Sequence, residues 1–198
     1  MASPLTLDIQ ALLERSSPAH RLDQYFKLLM QENQKVNLVS RETSRATFDR
    51  IVAESLFPCD HLDLHVGPFL DIGSGGGVPA IPLLLSGRVS GPSVLVERTQ
   101  KKAAALDRIA DELGLSVRVI DRTFEDIRLH DRFELITLSY VKLTARLLEK
   151  ILAALSPEGT FVYYSTPDFK PAQCRHETIS FIVKGDTVVR SFTVFRTN

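Results

Sequence analysis

The sequence lacks three features that would indicate a protein class directly: clustered cysteines, an excess of charge of one sign and a long apolar run. Its two cysteines, Cys59 and Cys174, are too few and too far apart to predict a metal cluster, and alone they do not indicate a disulfide. Twenty-four basic residues balance 24 acidic ones, so any binding of nucleic acid must come from a local patch. No apolar run has the length of a membrane span, and the residues after Met1 lack a basic region followed by an apolar one. We therefore expect a cytoplasmic protein with no membrane contact and no metal.

The N-terminal third of the chain is predicted to be helical. Ser17 and Pro18 form an N-cap and first-turn signal, and an apolar stripe typical of a buried helix face follows it. The stripe consists of Leu22, Tyr25, Phe26 and Leu29. A second helix is expected from Ala46 to Phe57. We expect residues 1–66 to form a helical extension packed on a domain of residues 67–198.

The rest of the chain alternates apolar strand patterns with helical ones. Strands are predicted near 69–72, 93–97, 116–120, 133–138 and 160–164, with helices between them. This order favours a doubly wound parallel α/β sheet, in which ligands bind beyond the carboxyl ends of the strands. The residues expected to converge there are Gly73, Glu97, Asp121 and Ser139.

A glycine-rich turn follows the first of these strands. A dinucleotide fingerprint needs a small residue five positions after its first glycine, and Val78 occupies that position here, which disfavours a nicotinamide dehydrogenase. Asp71 followed by Gly73, Gly75 and Gly77 gives instead the D-x-G-x-G-x-G pattern of S-adenosylmethionine (SAM) binders. Glycines permit positive φ and let a ligand approach the backbone, including the amide of Ser74. The alternative is a tight β–α turn with no ligand.

Glu97 ends the next strand pattern, about 20 residues beyond the glycines. A carboxylate at such a strand tip can accept hydrogen bonds from both hydroxyls of an unphosphorylated ribose. The alternative is a solvated acid at the start of a helix, where the helix dipole favours negative charge. The following helix is expected to begin after Thr99 and to end before Gly114. Its first turn carries Lys101 and Lys102, which are either a phosphate contact or a solvated pair.

Two β-rich runs near the C-terminus, 178–183 and 187–195, are joined by Lys184-Gly185-Asp186 and predict a hairpin. A parallel sheet that ends in an antiparallel hairpin is typical of SAM-dependent methyltransferases. The fold class is therefore expected to be a Rossmann-like, seven-stranded sheet of this type, with the helical extension at its N-terminus.

The chain resembles the ribosomal RNA small subunit methyltransferase G family, also called the glucose-inhibited division protein B family. The resemblance runs in the same order over nearly the whole chain, and Pro79 and Pro82 after the glycines are more specific than the glycines themselves. The matching positions are Asn33, Asn37-Leu38, Arg50, Glu54-Ser55-Leu56, the loop 70–83, Lys101-Lys102 and Arg122. Members of that family methylate N7 of a guanine in small-subunit ribosomal RNA with SAM.

The resemblance implies cofactor contacts at Gly73, Val78, Thr123, Phe124 and Ser139, with Glu97 on the ribose. Thr123 and Phe124 would edge the adenine, with Asp121 or Glu125 as an acceptor for its amino group; the alternative for Phe124 is a core residue. Four positions depart from the family pattern. Phe124 replaces a carboxylate, with Glu125 one residue later, while Ser139, Ile51 and Ser165 stand where an arginine, a histidine and a lysine are usual.

Guanine N7 already presents a lone pair, so methyl transfer needs positioning and no general base. We accordingly assign no catalytic residue. RNA contacts are expected at Asn33, Asn37, Arg50, Lys101, Lys102 and Arg122, in a protein expected to be monomeric. Two hypotheses follow: a methyltransferase acting on ribosomal RNA or the small ribosomal subunit, and a diverged SAM- or nucleoside-binding protein that lacks the activity or uses another acceptor.

Overall fold

The computed structural model describes residues 3–16, 18–64, 66–171 and 174–197, which form one sheet with helices on both faces. The strands are β1 (Leu5–Leu7), β2 (Phe69–Ile72), β3 (Ser93–Val96), β4 (Arg118–Ile120), β5 (Phe133–Leu138), β6 (Leu155–Tyr163), β7 (Arg175–Val183) and β8 (Val189–Arg196). The helices are α1 (Ile9–Ser16), α2 (Ala19–Asn33), α3 (Arg45–His61), α4 (Ala80–Leu85), α5 (Gln100–Glu112) and α6 (Ala145–Ala154). None of the helices in these ranges is long and apolar enough to cross a bilayer.

The strand order is β1-β7-β8-β6-β5-β2-β3-β4. Strands β2 to β6 pair in parallel, and β8 pairs antiparallel with both β6 and β7. The chain builds the sheet outward from β2 to β4 and then returns to add β5 and β6 on the other side of β2. The carboxyl ends of β2 and β5 therefore flank a topological switch point, where ligands bind in such sheets.

The predicted parallel sheet and C-terminal hairpin are confirmed, but the sheet has eight strands where the sequence predicts seven. The additional strand, β1, is three residues long and pairs in parallel with β7, which would otherwise be the edge strand, with Leu5 opposite Phe181. Leu7 is buried by this pairing. A three-residue strand is too short to show an alternation of apolar and polar residues. By pairing with β7, it satisfies backbone groups that would otherwise be exposed at a sheet edge. A second difference is a 3-10 turn at Phe124–Asp126, where a helix is expected between β4 and β5.

Apolar residues pack on both faces of the sheet because neighbouring residues of a strand point in opposite directions. Phe69 faces the cluster that includes α2 and α3, whereas Leu70 faces the cluster that includes α6. In the predicted stripe of α2, Leu22, Tyr25 and Leu29 are buried and Phe26 is partly buried.

The predicted helix boundaries hold with small shifts. Ser17 lies outside the described residues, and Pro18 is the N-cap of α2, so the helix begins one residue later than expected. α5 begins after Thr99 as predicted, although the Thr99 side chain makes no capping hydrogen bond. Gly114 follows its C-cap with φ of +63°, which confirms the predicted C-terminal glycine.

Candidate functional site

A cavity of about 800 Å³ opens at the carboxyl ends of β2, β3, β4 and β5. We call it the cofactor cleft. Of the residues predicted to bind cofactor, eight line it: Gly73, Ser74, Gly75, Val78, Glu97, Thr123, Phe124 and Ser139. Asp71 and Gly77 do not, and neither does Asp121. Residues from four strand ends, well separated in sequence, thus meet in one place, as the parallel sheet requires.

The glycine turn is tied to the neighbouring strand and is open toward the cleft. The amides of Gly73 and Ser74 both donate to the Val96 carbonyl oxygen, at 2.8 and 3.0 Å. Gly73 has φ of +76°, and a Cβ there would lie 2.5 Å from Cγ2 of Val141. At Gly75, φ is +52° and a Cβ would have only the Gly73 carbonyl oxygen within 4 Å, at 3.8 Å. The turn therefore needs glycine at Gly73 and leaves free space above Gly75.

Glu97 lies directly after β3 and is buried, with its carboxylate at the base of the cleft. Its Oε2 accepts from the Gly75 amide at 3.0 Å, and its Oε1 accepts from the Thr99 amide at 2.8 Å. Each oxygen retains a further lone pair, so the carboxylate can still accept two ribose hydroxyls. Glu97 thus joins the glycine turn to the start of α5 as well as facing the cleft.

Asp71 lies in β2 beneath the turn and is 1% exposed. Its Oδ1 accepts from the Thr137 hydroxyl at 2.6 Å, while its Oδ2 is buried without a hydrogen-bond partner. Burial raises the pKa of Asp71 to about 6, and the charge of Glu97 acts in the same direction. A buried carboxylate with an unpaired oxygen behind a ligand loop is costly, which points to a role beyond folding.

Helix α2 supports the glycine turn from the other side. The Tyr25 hydroxyl is buried and donates to the Gly76 carbonyl oxygen at 2.8 Å. A Cβ on Gly76 would lie 3.0 Å from Cδ1 of Leu29 and 3.3 Å from Cβ of Leu38. At Gly77, a Cβ would lie 2.4 Å from Cδ1 of Ile81. Gly77 therefore serves close packing under the turn, which is why it does not line the cleft.

The 3-10 turn after β4 forms another part of the cleft wall. Phe124 is 3% exposed and packs in the core with α6, yet it also lines the cleft. Both interpretations of Phe124, core residue and cleft wall, thus describe the same side chain. Lys150 lies over its outer face, with Nζ 5.2 Å from the ring centroid. Of the two predicted acceptors for the adenine amino group, Glu125 lines the cleft and Asp121 does not.

Four basic side chains line the cleft: Arg98, Lys102, Arg122 and Lys142. Lys142 Nζ lies 2.8 Å from Asp168 Oδ2, and we call the other three side chains the basic rim. Lys102 and Arg122 are among the predicted RNA contacts. Arg98 is not among them, although its position immediately after Glu97 indicates that it lies at the same end of the sheet. Lys101 is exposed but does not line the cleft.

The predicted RNA contacts in the N-terminal helices do not reach the cleft. Asn33 is buried, and its Oδ1 accepts from the amides of Leu38 and Val39 at 2.7 and 3.0 Å. The Oδ1 atom thus holds the loop after α2, a structural role that the sequence analysis did not assign to Asn33. Asn37 is exposed, and Arg50 extends toward Glu54, with Nε 3.9 Å from its Oε1.

A second cavity, of about 370 Å³, adjoins the cofactor cleft. We call it the side cavity. It shares Ile51, Val78, Ser139 and Tyr140 with the cleft and continues to Ser165 and the start of β8. Three of the four positions that depart from the family pattern, Ile51, Ser139 and Ser165, therefore lie in its wall.

One ion pair provides the fixed charges in the side cavity. Arg190 Nε lies 2.9 Å from Glu54 Oε1, and Arg190 also pairs with Asp186 at 2.9 Å. Burial raises the pKa of Glu54, whereas the charge of Arg190 lowers it. The side cavity lacks the three basic residues that the family pattern has at Ile51, Ser139 and Ser165. Its remaining basic side chain, Arg190, is paired with the carboxylates of Glu54 and Asp186.

Tyr140 is the second residue that the sequence interpretation missed. It follows Ser139 directly, has φ of +56° and is 85% exposed. No local pattern distinguishes it, because its placement depends on the end of β5 lying between the two cavities.

The described residues contain no group of three or more His, Cys, Asp or Glu side chains that could hold a metal ion. Cys59 is a buried free thiol and Cys174 a partly buried one. Burial raises the pKa of the Cys59 thiol to about 12.

Comparison with known proteins gives consistent matches. A family model described as rRNA small subunit methyltransferase G matches residues 19–194. The chain is similar to ribosomal RNA small subunit methyltransferase G of Helicobacter acinonychis, with 29% identity over 82% of this chain and 90% of that protein. It is 31% identical to the protein of that name from Helicobacter pylori strain J99, over 75% of this chain and 83% of the relative.

Two solved structures share the fold. Cofactor-bound Rv0187 from MTB superposes with a TM-score of 0.69 at 14% identity and covers all of both chains. An O-methyltransferase from Bacillus cereus in complex with SAH gives a TM-score of 0.63 at 14% identity, over 96% of this chain and all of that one. At this identity the likeness is evidence for the fold alone.

Proposed function

The chain belongs to the rRNA small subunit methyltransferase G family, and we propose that it transfers a methyl group from SAM to N7 of a guanine in small-subunit ribosomal RNA. As a member of this family with this fold, it is a SAM-dependent methyltransferase. The observation that carries the proposal is the convergence of the glycine turn, Glu97 and Phe124 in one cleft, with a basic rim at its side.

The residues of the cleft fit SAM. The free space above Gly75 suits the amino-acid end of the cofactor, the carboxylate of Glu97 suits its ribose, and Thr123 and Phe124 suit its adenine. The negative charge of Asp71 lies behind the turn and would act on the cofactor's ammonium through its field. When bound, SAM supplies an electrophilic methyl group on its sulfonium.

The protein contributes to the reaction by positioning the acceptor base. Guanine N7 carries a lone pair, so no side chain has to remove a proton before the transfer. The cleft instead has to hold the acceptor in line with the methyl group and exclude competing orientations. We propose this role for Val78 and Ser139, because both lie where the cleft meets the side cavity.

The basic rim is proposed as the contact for RNA phosphates. Arg98, Lys102 and Arg122 would each add to the salt dependence of binding, because each neutralised phosphate releases counterions. In a neutral molecule such a local contact is weak on isolated RNA. An assembled small subunit, which offers further surface, is therefore the better acceptor.

A different methyl acceptor is the second candidate. It is favoured by the three altered positions in the side cavity, since Ile51, Ser139 and Ser165 are uncharged and cannot form the charge-assisted hydrogen bonds to phosphate or base edges that the usual basic residues would form. The proposed location is the cytoplasm, where ribosomal subunits are assembled, and the proposed state is a monomer. Size-exclusion chromatography with light scattering tests the latter and should give 22.1 kDa.

The experiment is transfer of radiolabelled methyl from SAM to small subunits from a strain without this modification, with free small-subunit RNA in parallel. Label should enter the RNA of the subunits faster than free RNA. Tight SAM binding by calorimetry without label in either acceptor would contradict the proposed acceptor and favour the second candidate.

A further inference from the structure

We propose that Tyr140 is the residue on which the acceptor base stacks, and that it sets specificity for a planar acceptor at the mouth of the side cavity. The inference rests on the proposed methyl transfer to RNA. It starts from the unusual conformation of this residue. Tyr140 is 85% exposed and has φ of +56°, in the left-handed region that favours glycine.

A strained backbone that presents a large aromatic ring to solvent is not explained by folding. Apolar rings are normally buried, and a glycine at this position would remove the strain. Such conformations persist where the surrounding structure enforces them, and they cluster at ligand sites. Here the constraint comes from both sides: Ser139 is buried, and the side chain of Val141 fills the space where Gly73 has no Cβ.

The position of Tyr140 defines what it can contact. It lines both the cofactor cleft and the side cavity, so its ring stands at the junction of the two. An acceptor atom has to reach the cofactor past residues other than the glycine turn and Glu97, and Tyr140 is one of four residues that the cleft shares with the side cavity. A base entering from the side cavity would pass over the ring.

The surroundings of the ring favour a base over a simple phosphate contact. Four large apolar side chains are exposed among the described residues, and three of them lie on these two cavities: Tyr140, Val141 and Val189. A concentrated apolar surface beside a ligand cavity marks a binding site. Bases stack on aromatic rings irrespective of charge, whereas the charged side chains nearby are already paired, Glu54 with Arg190 and Lys142 with Asp168.

The test compares three variants in transfer to unmodified small subunits at low acceptor concentration. Tyr140→Gly removes the ring and suits the backbone, so it should fold as well as the wild type. Its kcat/KM for the acceptor should fall about 5- to 140-fold, the loss of one base stack, with unchanged affinity for SAM. Tyr140→Phe keeps the ring and should retain activity. Val188→Ala, an exposed apolar residue that lines neither cavity, is the matched control and should have no effect.

A second readout does not depend on turnover. The chain has no tryptophan, so Tyr140→Trp introduces a single tryptophan at the junction, whose emission can be excited selectively over that of the remaining tyrosines. Its emission should be quenched when in-vitro transcribed small-subunit RNA is added in the presence of S-adenosylhomocysteine. Binding of that RNA without quenching would overturn the stacking proposal, even for a wild type that transfers no methyl group.

The combined outcomes separate the two proposals. Absence of transfer by the wild type contradicts the proposed function, and the fluorescence result then decides the stacking alone. Transfer by Tyr140→Gly at the wild-type rate overturns the stacking and leaves the proposed function intact. A loss confined to assembled subunits, with free RNA unaffected, would assign Tyr140 to a protein contact and also overturn the proposal.

Discussion

Among the single residues, Glu97 gives the sharpest test of the cofactor site. It accepts hydrogen bonds from Gly75 and Thr99 and is proposed to accept two more from the ribose. Glu97→Ala should weaken SAM binding by about 1.5–3 kcal/mol, roughly tenfold to a hundredfold, because a charge-assisted hydrogen bond is removed. Calorimetric titration measures the change.

A control tests whether the loss of a carboxylate that accepts from a backbone amide elsewhere in the protein also lowers SAM affinity. Glu134 also accepts from a backbone amide, that of Gly67 at 3.1 Å, but lies outside the cleft. Glu134→Ala should leave SAM affinity unchanged. If a folded Glu97→Ala variant binds SAM as tightly as the wild type does, the ribose assignment is wrong.

Asp71 tests whether a buried charge is kept for function. Burial raises the pKa of Asp71 from 3.8 to about 6, so the folded protein binds this proton more tightly than the unfolded chain does. The free energy of unfolding contributed by the group therefore falls as pH rises from about 3.8 to 6 and stays low above that. Asp71→Asn removes the charge and should stabilise the protein at pH 7 by up to about 3 kcal/mol.

The difference in stability between this variant and the wild type should shrink as pH falls below about 6 and vanish below about 4, where both side chains are neutral. Urea unfolding across this pH range measures it. SAM affinity at pH 7 should fall in the same variant, since the charge behind the turn is gone. A stability difference that does not change with pH would show that Asp71 is not the titrating group.

Among the helices and strands, the contact between α2 and the glycine turn links the N-terminal helices to cofactor binding. Tyr25→Phe removes the donor to the Gly76 carbonyl oxygen and leaves that acceptor unpaired, which costs about 1–3 kcal/mol. SAM affinity should fall as well, because the turn is no longer held. Urea unfolding and calorimetry give the two quantities.

Tyr164 offers the matched control for this hydrogen bond. Its hydroxyl donates to the Ser55 carbonyl oxygen at 2.6 Å, away from the turn. Tyr164→Phe should destabilise the protein by a similar amount and leave SAM affinity unchanged. Equal effects of both variants on SAM affinity would mean that α2 influences the site only through overall stability.

The strands also show how far sequence predicts structure. The strands β2, β3 and β5 are predictable because each is a buried apolar run with a turn signal at its end. The strand β1 is not, since it pairs with β7 from the opposite end of the chain. The role of Asn33 likewise depends on contacts that its local sequence does not show. An asparagine suits an RNA contact, but in the fold its Oδ1 accepts from an amide of the next loop.

The parts of the site that lie directly after a strand could be predicted from the sequence. Glycines and Glu97 follow strands directly, so their convergence follows from the parallel sheet. The side cavity is different, because it combines residues of α3 with the ends of β5 and β6 and the start of β8. Tyr140 needed that three-dimensional context to be recognised, whereas Arg98 had a local signal, its position directly after Glu97.

The whole molecule has a net charge of zero and therefore exerts no overall attraction on RNA. We therefore expect RNA binding to depend on the basic rim. Replacing Lys102 and Arg122 by alanine should lower affinity for small-subunit RNA and reduce the slope of log affinity against log salt by about 1 for each phosphate that is no longer neutralised. SAM affinity should change little. Filter binding over a salt series measures the slope.

Lys27 and Arg128 provide a control with the same change in charge, because both are exposed and neither lines the cleft or the side cavity. Replacing both by alanine should leave the slope almost unchanged. Equal slopes for the two double variants would contradict a localised RNA contact and indicate a diffuse electrostatic one.

The chemical identity of the methylated nucleoside decides whether the protein transfers methyl to guanine N7. Unmodified small subunits are incubated with the protein and SAM, and their RNA is digested and analysed by mass spectrometry. We predict 7-methylguanosine, formed by the wild type and reduced in Glu97→Ala. Methylation of another base or of a ribose, or an unmodified digest, would contradict the proposed reaction.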